Sequence, residues 1–113
     1  MKIPEEGTLL RVFIGEADKW QSKPLYAAIV EAARKRGMAG ATVTKGIMGF
    51  GRKSRMHAAN ILRLSEDLPV VIELVDSAEK ISAFAQELDG MIKDGLVTME
   101  PVHVALYRSD TAR

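Results

Sequence analysis

The chain has 113 residues, enough for one hydrophobic core and too few for two, so the whole of 1–113 reads as a single domain with its core over about 8–108. Hydrophobic residues make up 47% and charged residues 27%, ordinary for a soluble globular protein, and the formal charge of +1 argues against a dedicated nucleic-acid binder; any basic surface has to be local. With no cysteine there is no disulfide framework, thiol nucleophile or Cys-based metal site, and the composition suits a reducing cytoplasm.

The opening residues Met1 to Glu6 carry no apolar leader, and no apolar run approaches the roughly 18 residues a membrane span needs. A cytoplasmic protein, not membrane-embedded, is expected. Thr8 to Ile14 is the first strand candidate. Ser22 then offers an N-cap, Pro24 falls in the first turn, and Leu25, Ala28, Ile29, Ala32 and Ala33 recur at helical spacing until Gly37. Ala41 to Met48 is a second strand, favoured by the β-branched Thr42, Val43 and Thr44.

That strand runs into Gly49-Phe50-Gly51 and the basic stretch Arg52-Lys53-Ser54-Arg55. Gly49 and Gly51 allow φ > 0 and a close approach of main-chain N–H groups to an anion, so a cationic, glycine-hinged loop over about 52–60 is expected, mobile without its ligand. Ile61 to Leu64 and Val70 to Val75 read as one extended segment broken at Pro69. Asp76-Ser77-Ala78-Glu79 resembles a capping box, and Ile81, Phe84, Ala85, Leu88, Met91 and Ile92 make an apolar stripe ending near Gly95. Val97 to Met99 and Val102 to Tyr107 supply the last strand, interrupted by Pro101. The order is βαββαβ, an α+β, ferredoxin-like antiparallel sheet with two helices on one face.

Strand parity bears on assembly. One face collects Leu10, Val12 and Ile14 with Val70, Ile72 and Leu74 and with Val102, Val104 and Leu106, and is expected under the helices. The other carries Leu9, Arg11 and Phe13, Val71, Glu73 and Val75, and His103, Ala105 and Tyr107. Burying an aliphatic side chain contributes about 1.5–3 kcal/mol, so covering this second face by self-association is favoured. Glu73 in an apolar strand needs a partner: Arg11, Lys45, a neighbouring subunit or a ligand.

The passage G-A-T-V-T-K-G-I-M-G-F-G-R, followed some twenty residues on by L-P-V-V-I-E-L-V-D, resembles the PII signalling superfamily. Glu16, Asp18 and Lys23-Pro24-Leu25-Tyr26 resemble more closely an uncharacterised PII-like branch. The resemblance runs from about Leu9 to Tyr107. It implies a homotrimer packed on its open sheet faces, a long loop after the second strand, and nucleotide pockets in the clefts between subunits. A binding and signalling role without catalysis is also implied, so no catalytic residue is assigned. Carried over by position, Thr42 lines the adenine cleft, Gly49, Phe50 and Gly51 form the loop base, Arg52 stands beside the phosphates and Glu73 near the base and ribose. Lys53 and Arg55 add charge.

Two departures weigh on the ligand. The superfamily's Gly-Asp-Gly-Lys before the last strand is replaced by Asp94-Gly95-Leu96, which removes a phosphate-binding lysine, and no tyrosine lies between Gly46 and Pro69. AMP, ADP or another anionic metabolite therefore suits the chain better than ATP, with no cofactor required and no metal. A partner protein or membrane transporter would be touched by the loop. The alternatives are an enzyme on the same scaffold, which lacks any nucleophile–base constellation, and a nucleic-acid module, which the near-neutral charge disfavours. Plainer readings exist for single features. The Gly46 to Ser54 run departs from a Walker A loop because Arg52 separates Gly51 from Lys53; the basic loop could be a solvated hairpin tip; Glu66-Asp67 reads as a turn; His57 and His103 lack companions at metal spacing.

Overall fold

Alternation of apolar and polar residues in two central strands organises the molecule. In the computed structural model, residues 5–51, 57–58 and 67–109 are described, the pair 57–58 by its backbone alone. β1 (Glu6–Gly15) and β7 (Pro69–Asp76) pair antiparallel with Leu10 opposite Leu74 and Val12 opposite Ile72. β4 (Thr42–Lys45) adds to the free side of β7, and β8 (Leu96–His103) to the free side of β1, giving the sheet order β4-β7-β1-β8 with every pair antiparallel. With helices α1 (Leu25–Lys35) and α2 (Ala78–Asp89), this is the ferredoxin-like arrangement expected from the sequence. Two short ribbons are additions: β2 (Lys19–Trp20) with β3 (Lys23–Pro24), and β5 (Met48–Gly49) with β6 (His57–Ala58).

The core lies between the sheet and the two helices. Leu10, Val12, Ile72 and Leu74 from the sheet meet Ile29 from α1 and Ile81, Phe84 and Leu88 from α2, each essentially inaccessible to water. Several local expectations shift. Ser22 does not cap α1; Gln21 and Ser22 form the turn of the β2–β3 ribbon with φ of 48° and 71°, and the N-cap position is Pro24, without a side-chain cap. Two successive left-handed residues that are not glycine are strained by about 1–2 kcal/mol each. Trp20 belongs to that ribbon.

The end of α1 closes as a Schellman motif: Met38 N–H donates to Ala33 O, Gly37 N–H to Arg34 O, and Gly37 takes the left-handed φ of 68° that this requires. The capping box moves by one residue. Ser77 is the N-cap of α2, its hydroxyl accepting from Lys80 N–H at 3.3 Å, and no Glu stands at the third helical position.

The second strand is shorter than Ala41 to Met48, since Met48 leaves the sheet for the β5–β6 ribbon. Pro69 opens β7, a place where a missing donor is tolerated, and Pro101 sits inside an unbroken β8 because β8 is an edge. The parity expected of the last strand is inverted. Val102 lies opposite Gly7, and Thr98 opposite Arg11, so Val102 shares the face of Arg11 and Glu73 and not that of the core. The expected mobile loop over 52–60 and the strand Ile61 to Leu64 lie outside the described residues, apart from the backbone of 57–58.

Gly95, where α2 turns back into β8, is set by space. A Cβ there would stand 2.8 Å from the Phe13 carbonyl oxygen and 3.0 Å from Ile14 Cγ2, and backbone cannot yield cheaply. Gly40 has nothing within 4 Å of the same point. Gly95→Ala is expected to lower the stability measured by denaturant unfolding by about 1–3 kcal/mol, while Gly40→Ala stays within about 0.5 kcal/mol. Equal midpoints for the two would refute the packing account.

Candidate functional site

The face of the sheet turned away from the helices carries one polar row in an apolar setting. Thr42 on β4 is opposite Glu73 on β7, Glu73 opposite Arg11 on β1, and Arg11 opposite Thr98 on β8. Val71 opposite Phe13 flanks the row on one side, and Val75 opposite Leu9 on the other. Arg11 Nε donates to Glu73 Oε2 at 2.7 Å, and its Nη1 reaches Glu100 Oε1 at 3.3 Å. The hydrogen bond to Glu73 is the main cause that raises the Arg11 pKa above its ordinary value, so the guanidinium stays charged throughout. Glu73 thus has its partner within the chain; Lys45, the other partner considered, donates instead to Glu16 Oε2 at 3.1 Å.

The C-terminal tail builds a cleft over one end of this row. After β8 the Val104 N–H donates to Glu5 O at 2.6 Å, and the chain then crosses toward the opposite edge, where the Tyr107 hydroxyl donates to Ala39 O at 3.0 Å. Ala39 is itself anchored: its N–H donates to Oδ2 of Asp76, a carboxylate 1% exposed whose Oδ1 accepts from Ser77 N–H. Between tail and sheet lies a cavity of about 790 Å³. Leu9, Val75, Val102, Val104 and Leu106 give it apolar walls, and Thr42, Glu73, His103, Tyr107 and the backbone of residues 39–41 bring polar groups. Apolar walls with few convergent polar groups are the usual build of a small-molecule site.

At the far end of β4 stands the loop base. Gly46 N–H donates to Pro69 O at 2.7 Å, and the Pro69 ring covers both Gly46 and Gly49, with Cγ 2.9 Å and 3.0 Å from where their Cβ atoms would lie. Gly49 is thus in tight contact with that ring and does not take the positive φ its glycine would allow, which among the described glycines Gly37 adopts. Phe50 is 73% exposed, as is Ile47 at 78%. Asp67, expected in a plain turn, fastens the neighbouring loop by accepting from Ala17 N–H at 2.7 Å.

Of the residues singled out in the sequence, Thr42 and Glu73 come together in one cleft. Gly49, Phe50 and Gly51 lie beyond the other end of β4, and Arg52, Lys53 and Arg55 fall outside the described residues. Sequence reasoning missed the roles of Ala39 and Tyr107, because the alternation of Val102 to Tyr107 reads as strand. Among the described residues no cluster of three or more His, Cys, Asp or Glu side chains is arranged to hold a metal, and no helix is long and apolar enough to cross a membrane.

This fold is that of PII-like proteins. Two solved structures of CPII from Thiomonas intermedia K12 superpose with a TM-score of 0.63 at 14% sequence identity, over 89% of this chain and 90% of theirs. One holds ADP and bicarbonate, the other ADP, AMP and bicarbonate. The chain belongs to the DUF190 family, described as "Uncharacterized ACR", whose profile matches residues 7–104. A UPF0166 protein of Aquifex aeolicus is 40% identical over 96 residues, 85% of this chain and 90% of that protein. Another from Methanocaldococcus jannaschii is 36% identical over 104 residues, 91% of this chain and 94% of that protein.

Tyr107 is the side chain that ties the tail across the cleft. Tyr107→Phe is expected to lower stability by no more than the about 0.5–1.5 kcal/mol that one partly exposed hydrogen bond contributes, a few degrees in melting temperature, and to speed tryptic cleavage after Arg108. Unaltered cleavage kinetics would show that the tail is held by other means.

Proposed function

We propose that the protein is a PII-like sensor that binds a small anionic ligand, an adenine nucleotide such as AMP or ADP, and regulates a partner through the loop after β4. The observation that carries this reading is the cleft of about 790 Å³ in which Thr42 and Glu73, opposite each other on adjacent strands, meet the tail. Support comes also from the fold, which in the CPII structures accommodates ADP, AMP and bicarbonate. In this reading the base lies toward Thr42 and Glu73, and the phosphates lie toward Gly49, Phe50 and Gly51 with the charges of Arg52, Lys53 and Arg55. No chemistry is required of the protein; the ligand orders the loop, which a partner protein or membrane transporter in the cytoplasm then reads.

The working unit proposed is a homotrimer. Leu9, Phe13, Val71 and Val75 are only half-buried on the face away from the helices, so packing these faces together would remove apolar surface from water and bring a second chain to each cleft. Phe13→Asp or Val75→Asp is expected to dissociate or unfold the assembly in light scattering, by placing a charge in the interface. A stable wild-type monomer would end that part of the reading.

Calorimetric titration with AMP, ADP and ATP, each with and without bicarbonate, tests the ligand. ADP or AMP is expected to bind and to raise the melting temperature as ln(1 + [L]/Kd). Arg52→Ala should weaken binding about ten- to a hundredfold, the loss of a charge-assisted contact of about 1.5–3 kcal/mol, with the apo melting temperature unchanged. No binding of any of the three nucleotides by the folded wild-type protein would remove the nucleotide reading.

A further inference from the structure

The helical side of the molecule holds a second cavity, of about 430 Å³, which shares no lining residue with the cleft on the sheet face. Its floor is made of small or buried side chains: Ala28 and Ala32 one turn apart on α1, with Gly90 and Met91 just past the end of α2. These leave open a space that larger residues would fill. Trp20 walls one side, half-buried against the core, and stands there because the β2–β3 ribbon turns back through the two left-handed residues Gln21 and Ser22. Such a turn strains the backbone, and strain of this kind is retained where the surrounding structure fixes it, often at sites of ligand contact.

The rim is charged and held in place. Lys23 Nζ donates to Glu31 Oε1 at 2.8 Å and Arg36 Nε to Glu87 Oε1 at 2.6 Å, so each cation is positioned by a carboxylate. The hydrogen bond from Lys23 is the main cause that keeps the Glu31 carboxyl below its usual range. Lys35 adds a third cation, close enough to Glu31 to help hold its carboxyl low but not bonded to it, so three cations face two carboxylates and the rim carries a net charge of +1. An indole face, a shallow floor of alanines and one surplus positive charge together suit a flat ring bearing a single negative group.

We propose that this cavity is a separate binding site for a small planar aromatic monoanion, its ring lying against Trp20 over Ala28 and Ala32 and its anionic group at Lys35 and Arg36. The site lies on the far side of the sheet from the assembly face and does not depend on the nucleotide reading.

Trp20 is the one tryptophan of the chain, so a single indole N–H resonance in a proton–nitrogen correlation spectrum reports on this cavity alone. Titration of the full-length protein with 2-naphthoate is expected to shift that resonance saturably, with a Kd at or below about 1 mM, and the uncharged 2-naphthamide to bind at least about tenfold more weakly. Ala32→Leu, which fills the floor, should abolish the shift. Lys35→Gln, which removes the charge at this exposed position in the last turn of α1 without reversing it, should weaken it by about tenfold or more, with the fold checked by the unshifted remainder of the same spectrum. ADP in excess should leave the naphthoate titration unchanged. The proposal is overturned if the resonance shows no saturable shift, if amide and carboxylate bind alike, if Lys35→Gln binds as the wild type does, or if ADP displaces the naphthoate.

Discussion

The pairing of β1 with β7 is the constraint on which the rest of the structure depends. Because side chains alternate across a strand, the register that sets Leu10 against Leu74 and Val12 against Ile72 on the helical side must set Arg11 against Glu73 on the other. A slip of one residue would bring the charged pair into the core and expose the aliphatic set, so burial of the core and placement of the ion pair are one choice. Thr42 then follows from β4 extending the same ladder, which puts it beside Glu73 without any separate device. The cleft inherits its polar floor from a register enforced by the opposite face.

Most of the fold was legible because it rests on this alternation and on helical spacing. Thr8 to Ile14, Val70 to Val75 and the stripes of α1 and α2 carry their burial in the order of their residues. The last strand was misjudged for a definite reason. Val102, Val104 and Leu106 alternate cleanly, but alternation says which residues share a face and not which face; that is decided by pairing, and Val102 is opposite Gly7. The ribbon turn at Gln21 and Ser22 was unreadable from composition, since the residues that usually mark a left-handed turn, Gly and Asn, are absent from it.

The candidate site divides along the same line. Thr42 and Glu73 were legible, one through family resemblance and the other through the oddity of a carboxylate in an apolar strand. Tyr107 was not, because its role depends on the tail leaving the sheet after His103 to reach Ala39, a path no local pattern specifies. Gly49 was singled out for conformational freedom and the approach of an anion, whereas what the structure places against it is the Pro69 ring. Glycine reports that space or backbone freedom is needed, and the sequence does not say which.

The Arg11–Glu73–Glu100 group connects the local and the assembled views. In the isolated chain these side chains are 37%, 41% and 57% exposed, and ion pairs at such positions contribute only about 0–1 kcal/mol. Covered by other copies, as proposed for the trimer, the same group would lose its water, and removing one member would then leave an uncompensated charge at a cost of about 3–5 kcal/mol. With one guanidinium and two carboxylates the group carries a surplus negative charge, which a covered face would have to meet with a donor from a neighbouring chain. A face that is mostly apolar and yet retains this charge is therefore poorly suited to indiscriminate association. It favours a partner surface that meets Glu73 and Glu100 with hydrogen-bond donors, and that requirement makes the polar row a determinant of which surfaces fit, while the surrounding aliphatic side chains supply the driving force.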